Sequence, residues 1–532
     1  MRTVAGRTDH VVVVGAGLSG LAATLHLLGA GRRVTVLERA EHPGGRAGRV
    51  DLHGPAGRYL VDTGPTVLTM PDLVEATLAA VGEKLADRLE LIRLDPAYRA
   101  RFADGSTIDV HTDPDEMEAE IAEQVGPADA AGYRRLRGWL TDLYRSEIDT
   151  FIGSNMDSPL SLLTPDLARL AALGGFGRLG RRVGRFVKDE RLRRIFSFQA
   201  LYAGVSPDRA LAAYGVIAYM DTVAGVFFPR GGMRALPTAL ADAATSAGAD
   251  IRYRATATGL VRRGGRVTGV RYLDGSGEPA RVDADAVVLT PDLPAVYQLL
   301  RRTPRRPVPL RWAPSALVLH AGGPDPTARD ATAPDPTAPD PTAPDPTAPN
   351  PTAPSGRDAP AHHTLSFGRA WSETFEQILH RGQLMSDPSL LLTNPTATDP
   401  ALAPPGHQLY YLLAPCPNTQ RAQLDWSRIG PAYAEELLGV LAARGHTGLS
   451  ASVADMAASR LVTPDDWAED GLAAGTPFSA AHTFAQTGPF RPANLVRGWS
   501  NVVLAGCGTT PGVGVPPVLI SGRLAALRIT GV

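Results

Sequence analysis

The chain has 532 residues, 44% hydrophobic and 20% charged, too long for a single core and too apolar for a disordered chain, so two or three packed units are expected. Its 53 basic and 54 acidic residues leave a net charge of −1, which offers nucleic acid no overall field, and no long charge-free apolar block marks a polytopic membrane protein. Two cysteines, Cys416 and Cys507, exclude a disulfide framework and a cysteine-based metal site and point to a reducing, cytoplasmic compartment.

Met1 to His10 lacks the apolar stretch and cleavage site of a signal peptide. Val11–Val14 is a β-branched run of the kind found in buried parallel strands. It runs into Gly15-Ala16-Gly17-Leu18-Ser19-Gly20, and Leu21–Leu28 then reads as a helix with an apolar face. Val34, Val36 and Leu37 form a second strand ending at Glu38, completing a βαβ unit that opens a doubly wound sheet. In this unit Gly15 permits the tight turn, Gly17 lets a pyrophosphate approach the backbone, and Gly20 lets helix and strand pack closely. The helix N-terminus presents free N–H groups to phosphate, and the Glu38 carboxylate can accept hydrogen bonds from a ribose.

Arg39 follows, and then Pro43-Gly44-Gly45-Arg46-Ala47-Gly48, a second glycine pair beside an arginine that supplies a cation near the same phosphates. Val61-Asp62-Thr63-Gly64-Pro65-Thr66 makes another tight turn after a strand. From Leu162 to Met233 the chain reads as mostly helical, including the apolar stretch Ala210–Phe228 that Asp221 interrupts. Between Arg169 and Arg194 stand nine basic residues and two acidic ones, Asp189 and Glu190. There Phe176, Leu179, Val183, Phe186 and Val187 fall at helical spacing opposite Arg178, Arg181, Arg182, Arg185 and Lys188, a pattern that fits either a face lying on anionic lipid or a solvated basic face.

From Ile251 strand-like runs alternate with turns at Gly264-Gly265 and Asp274-Gly275 and end in Ala286–Leu289, an apolar strand placed to return to the first sheet. The stretch from Pro324 to Pro360 repeats Pro-Asp-Pro-Thr-Ala, which excludes helix and sheet and reads as an extended or disordered surface insert. His362-His363 has no third ligand at helical or hairpin spacing, so no metal is expected. His482 and Gln486, four apart, read as a polar pair near the cofactor or as a helix surface. Asn501–Leu504 is a strand, and Val503 to Pro516 carries a glycine-rich strand-to-helix turn before the apolar Pro517–Ile529. N–H groups at such a turn can face a cofactor edge that gains charge on reduction.

The Gly15, Gly44 and Gly64 turns resemble the N-terminal signature of the FAD-dependent amine oxidase and desaturase group. Further along, Phe196 to Gly204, Ser206-Pro207, Tyr214, Gly225 to Met233, His362 to Phe367, Asp387-Pro388-Ser389, Pro395 to Pro400, Gly406-His407 and Gly488 to Pro492 together resemble the bacterial-type phytoene desaturases of carotenoid biosynthesis. The likeness spans nearly the whole chain apart from the proline repeat. It departs at Cys507, Thr510 and Pro517, where the family pattern carries Ala, His and Gly.

The resemblance implies an α/β fold: a Rossmann-like FAD-binding domain, a mixed-sheet substrate domain and a helical, membrane-contacting subdomain. FAD binding would draw on residues 1–100, 241–300 and 481–532, and the substrate parts on 101–240 and 301–480, with the insert at 324–360. The implied FAD contacts are Gly15, Gly17, Gly20, Glu38, Arg39, Gly44, Gly45, Arg46, Gly64, Pro65, Ala257, Gly506, Gly508, Gly514 and Val515. The implied reaction removes hydrogen from adjacent saturated carbons of phytoene, a forty-carbon polyene, in steps toward lycopene; hydride passes to the flavin and a proton leaves the neighbouring carbon.

A hydrocarbon offers no hydrogen-bonding handle, so its site should be an apolar tunnel. Asp221 is the candidate for handling the proton, since a carboxyl in apolar surroundings has a raised pKa; a helix's polar face or cap is its other reading. Segment 169–194 would hold the protein at the cell membrane's cytoplasmic surface, where the substrate dissolves. A carotenoid ketolase, a hydroxycarotenoid desaturase or a carotene isomerase would keep the same FAD motifs. A flavin-free prenyl binder would share only the fold, and an amine oxidase would share the flavin but favour aromatic walls. Nothing in the sequence bears on the oligomeric state.

Overall fold

The structure, a computed structural model, describes residues 1–306, 308–325, 360–446 and 448–531. A five-stranded parallel sheet carries the order Asp250–Arg252, Arg33–Leu37, His10–Val14, Ala286–Leu289, Val502–Leu504. The apolar strand residues alternate between two cores because successive side chains leave a strand on opposite faces. Val11, Val13, Val34, Val36 and Val288 pack against the helices Leu18–Gly29, Ala235–Ser246 and Val515–Thr530. Val12, Val14, Leu37, Val287 and Leu289 pack against an antiparallel meander, Thr256–Arg263, Arg266–Leu273 and Pro279–Asp283, and against the helix Leu293–Leu300. Both faces are covered, which explains why these strands read as continuous apolar runs.

The two ends of the polypeptide meet in this unit. A side chain at Gly522 on the last helix would stand 2.3 Å from the Ser19 carbonyl and 2.8 Å from the Ala22 side chain on the first. Only glycine allows the two helix backbones to come so close. The last helix begins at Val515, two residues before the Pro517 start read from sequence, because prolines at its first turn lose no hydrogen bond there.

A seven-stranded mixed sheet forms the second layer, in the order Ala458–Val462, Ser315–Pro324, His407–Cys416, Leu390–Thr393, His363–Phe367, Tyr98–Phe102, Thr107–Val110. Pro324, assigned from sequence to the repeat, instead closes a strand opposite His407, and the Asp325 N–H donates to the Gly406 carbonyl. The repeat itself, residues 326–359, lies outside the described residues.

The helical block departs from expectation twice. Ala210–Phe228 is helical from Ala212 to Ala224 but not one regular α-helix: it holds a 3₁₀ turn at Ala212–Tyr214, the helix Gly215–Tyr219 and a wide π turn at Met220–Ala224. Gly225, at φ 108°, then turns the chain into the strand Val226–Pro229, which pairs with Leu68–Thr69 and Leu91–Arg93. Nor is 169–194 one surface helix. It divides into Pro165–Ala172, Leu179–Phe186 and Glu190–Ile195, and Leu179, Val183 and Val187 are fully buried in the core. The apolar stripe of the middle helix therefore faces the protein. Phe176 alone of the stripe stands exposed, while Arg178, Arg181, Arg185 and Lys188 face outward and Arg182 lies 5.6 Å over the Trp139 ring. Among the described residues no helix is long and apolar enough to cross a membrane.

Candidate active site

The glycine turns interlock. At Gly15 (φ 103°) the N–H donates to the Leu37 carbonyl, and a side chain at Gly20 would stand 2.0 Å from the Gly15 carbonyl oxygen. A side chain at Gly17 would meet nothing nearer than the Gly44 carbonyl at 3.9 Å, so this backbone borders open space. The Gly44 N–H donates to the Ala16 carbonyl, and a side chain at Gly64 would stand 2.0 Å from the Arg46 carbonyl. Three turns far apart in sequence thus share one wall. The helix Leu18–Gly29 starts from Gly17 and the helix Val515–Thr530 from Gly514, neither with a side-chain cap.

Glu38 is buried, and its two oxygens accept the Ala16 N–H at 2.6 Å and the Ala40 N–H at 2.8 Å. The carboxylate shapes the first glycine turn and retains lone pairs for a ribose. The Arg39 guanidinium reaches across to the Asp470 carbonyl at 2.8 Å. Arg46 joins the two ends of the chain: its Nη1 lies 2.7 Å from Cys507 Sγ, and its Nη2 lies 3.4 Å from Asp292 Oδ2. Its Nε and Nη2 have no hydrogen-bond partner, although a third of the side chain is open. An underemployed guanidinium beside open glycine backbone is a cradle for a diphosphate, and the residues present fit FAD.

A cavity of about 1760 Å³ begins at this wall. It is bordered by Gly15, Gly17, Glu38, Arg39, Gly44, Gly45, Arg46, Gly64, Pro65, Ala257, Gly506, Gly514 and Val515. Gly20 and Gly508, expected among the contacts, lie behind it: Gly20 packs on Gly15, and a side chain at Gly508 would stand 2.7 Å from Leu293. The same space continues over the seven-stranded sheet at Val318, Leu391 and Leu413 and beneath Phe151, Val216 and Met220. At its edge Phe176, Phe484 and Phe490 are exposed, as are Leu160 and Leu163 on either side of Leu162, which also borders the cavity.

The titratable groups of the apolar part are kept close to neutral. Asp221 reaches into the cavity from the π turn; burial raises its pKa to about 7, with a Gln199 hydrogen bond pulling the other way. Burial pushes Glu147 well above the carboxylate range, and its buried Oε1 has no hydrogen-bond partner among the described residues. Burial, with Arg491 nearby, holds His482 well below its ordinary value, and His363 is lowered to about 3 by burial and its neighbour His362. Near pH 7 Asp221 is thus partly ionised, while Glu147, His363 and His482 are held in their neutral forms.

Glu147 escaped the sequence reading, yet it left a signal. It ends the helix Pro127–Glu147, and with Leu136, Leu140 and Leu143 it continues the buried stripe, so a carboxyl stands where an apolar residue belongs. His482 and Gln486 are neither a pair nor a helix surface. Gln486 is buried, accepts the Arg311 N–H and donates to the Arg311 and Ala481 carbonyls, while the His482 ring packs on Gly512. His362 bonds Thr398 at 2.7 Å and His363 stands beside Tyr98.

Residues 18–530 match the family described as flavin containing amine oxidoreductase. The chain is 62% identical to a phytoene dehydrogenase of Streptomyces griseus, over all of this chain and 97% of that protein. It is 35% identical to a zeta-carotene-forming phytoene desaturase of Myxococcus xanthus, covering 98% and 93%, and 32% identical to a lycopene-forming phytoene desaturase of a Paracoccus species, covering 97% and 96%. Among solved structures, an oxidoreductase from Methanosarcina mazei superposes with a TM-score of 0.60 at 16% identity, covering 96% and 98% of the two chains. Cyclohexylamine oxidase from Brevibacterium oxydans does so with a TM-score of 0.56 at 15% identity, covering 99% of each, and both show the fold alone. With its glycine turns, Arg46 and long apolar cavity in place, the chain belongs to the flavin containing amine oxidoreductases and, within them, to the phytoene desaturase family.

Proposed function

We propose that this protein is an FAD-dependent carotenoid desaturase that dehydrogenates phytoene stepwise toward lycopene. The observation that carries the reading is the continuity of one cavity from the Arg46 wall to an apolar rim. Its 1760 Å³ exceeds the roughly 300–1,000 Å³ of a site for one small molecule, leaving room for a dinucleotide and a long hydrocarbon together.

FAD, when bound, supplies the hydride acceptor. Arg46 and the open backbone at Gly17, with Gly44 and Gly45 beside them, would hold its diphosphate, Glu38 its ribose, and the turn from Gly506 to Val515 its far end. Residues 1–100, 241–300 and 481–532 supply that half. The apolar walls align the chain of the substrate and exclude water. Asp221, half ionised near pH 7, takes the proton from the carbon next to the one oxidised, onto its carboxylate oxygen.

The substrate enters from lipid. Phe176, Phe484, Phe490, Leu160 and Leu163 form an apolar rim, and the outward arginines of the 169–194 segment give it a basic border suited to the anionic cytoplasmic leaflet. This assigns the membrane contact to the rim, since the stripe at Leu179 and Val183 is occupied by the core.

The test is anaerobic incubation of FAD-reconstituted protein with phytoene in liposomes, followed by pigment chromatography and mass measurement. With no added electron acceptor each bound FAD accepts one hydride, so a product lighter by two hydrogens, in amounts up to the flavin present, is expected. An unchanged mass with altered double-bond geometry would make the protein an isomerase instead.

A further inference from the structure

Arg491 is fully buried, on the segment that runs antiparallel to the strand Val502–Leu504. Its Nε donates to the Thr509 carbonyl at 2.9 Å and its Nη2 to the Cys507 carbonyl at 2.5 Å; the same guanidinium reaches the Ala480 carbonyl at 3.3 Å and the Gln486 carbonyl at 3.4 Å. All these acceptors are neutral. Among the described residues no carboxylate stands within ion-pair distance. Tyr214 and Cys507 favour its charge more than Asp292 does, and that carboxylate lies against Arg46 and accepts the N–H groups of Leu293 and Ala473. Arg306 adds a second positive charge nearby, and burial lowers the pKa of Arg491 to about 10, so it remains a cation. A cation buried without a counter-charge is costly, and carbonyl dipoles offset only part of that cost.

Two of these carbonyls, those of Cys507 and Thr509, belong to the glycine turn at the cofactor wall. In a trans peptide the carbonyl and the following N–H point in opposite directions. Drawing the Cys507 and Thr509 carbonyls toward Arg491 therefore turns the Gly508 and Thr510 N–H groups the other way, and neither has a hydrogen-bond partner among the described residues. Cys507, Thr510 and Gly514 border the cavity on that side. The guanidinium and the N–H dipoles it orients thus present positive potential to whatever lies against this turn.

We infer that Arg491 is a positioning residue whose missing counter-charge is the reduced flavin: its buried cation favours the negative form of the isoalloxazine and so raises the reduction potential of the bound cofactor. The inference rests on the FAD reading above. A desaturase must take hydride from carbon, and a cofactor more willing to be reduced serves that step. Charge, and not only the shape of the turn, is what the side chain supplies.

The experiment uses the full-length protein reconstituted with FAD, in wild-type, Arg491→Lys and Arg491→Gln forms, with sulfite as probe because its flavin adduct is anionic. The sulfite dissociation constant is expected to rise at least about tenfold in Arg491→Gln, with a more negative midpoint potential, and to stay within about threefold of wild type in Arg491→Lys, since charge acts across several ångströms in a low dielectric. Wild-type holoenzyme needs no variant for a second reading: its melting temperature is expected to rise on anaerobic reduction, because the better-held form stabilises the fold more. FAD uptake with unchanged sulfite binding in Arg491→Gln, a Lys variant as impaired as the Gln one, or a melting temperature that falls on reduction overturns this inference alone. A wild-type protein that takes up no FAD overturns it together with the reading on which it rests.

Discussion

The two ends of the cavity are built by opposite rules. At the Arg46 end the wall is backbone: Gly15, Gly17, Gly44 and Gly64 stand where side chains would collide or fill the space, Arg46 holds a thiol and the buried Arg491 holds carbonyls. At the other end the wall is side chain: Phe151, Val216, Met220 and Leu413 are interchangeable in kind, and the few titratable groups are driven toward neutrality. A backbone wall tolerates almost no substitution, whereas an apolar wall tolerates volume-conserving exchange. The first end is rigid by sterics and the second selective by exclusion of charge.

Breaking the backbone wall should have the largest effect. Gly20→Ala places a methyl 2.0 Å from the Gly15 carbonyl, so the purified protein should lose its flavin absorbance and about 1–3 kcal/mol of stability in a denaturant melt. Next, Asp221→Asn should lower turnover of phytoene by about a hundredfold to ten-thousandfold while the flavin spectrum is retained. Because a base works ionised, wild-type turnover should climb with pH through about 7, and the Asn variant should show no such rise. Full activity in that variant would return Asp221 to a structural role.

Arg46→Met separates the ends in the other direction. FAD should bind about tenfold to a hundredfold more weakly by fluorescence titration, with the apolar end undisturbed. Phe484→Ser should weaken liposome binding about tenfold in a flotation assay and leave turnover in detergent micelles unchanged.

The smallest effect is expected at Glu147, where Glu147→Leu should stabilise the protein by about 1–3 kcal/mol, since an unpartnered carboxyl gives way to a hydrocarbon. The sign of its pH dependence follows from the raised pKa. The folded state binds its proton more tightly than the unfolded state, so the contribution is complete below the ordinary 4.5 and is lost as pH rises toward and through the folded value. Melting temperature against pH should therefore fall less steeply in the Leu variant.

The same contrast explains what could be read in advance. Gly15 and Gly20 each serve one close approach and Gly17 leaves open space, and glycines in a strand–turn–helix frame announce those needs from sequence. The apolar end gave weaker signals. The periodicity from Phe176 to Val187 showed which residues share a face, but period does not say whether that face meets lipid or core; Leu179, Val183 and Val187 meet core. Ala210–Phe228 looked helical by composition alone, yet Gly225 and the walls of an enclosed cavity break it, because a segment that lines a hollow need not keep one helical face. Arg491 lies within the Gly488 to Pro492 run, where nothing local in the sequence reveals a missing counter-charge. Glu147 could have been found by asking which polar residue occupies a stripe position.

The contact of Gly522 with Ser19, and of Arg46 with Cys507, has a bearing on biogenesis. A ribosome that has delivered only the first βαβ unit holds half a binding site, and the missing wall emerges with the final helix. Cofactor capture must then follow translation, so a truncated or stalled chain stays colourless however much riboflavin the cell makes, and yellow colour in a preparation counts finished molecules.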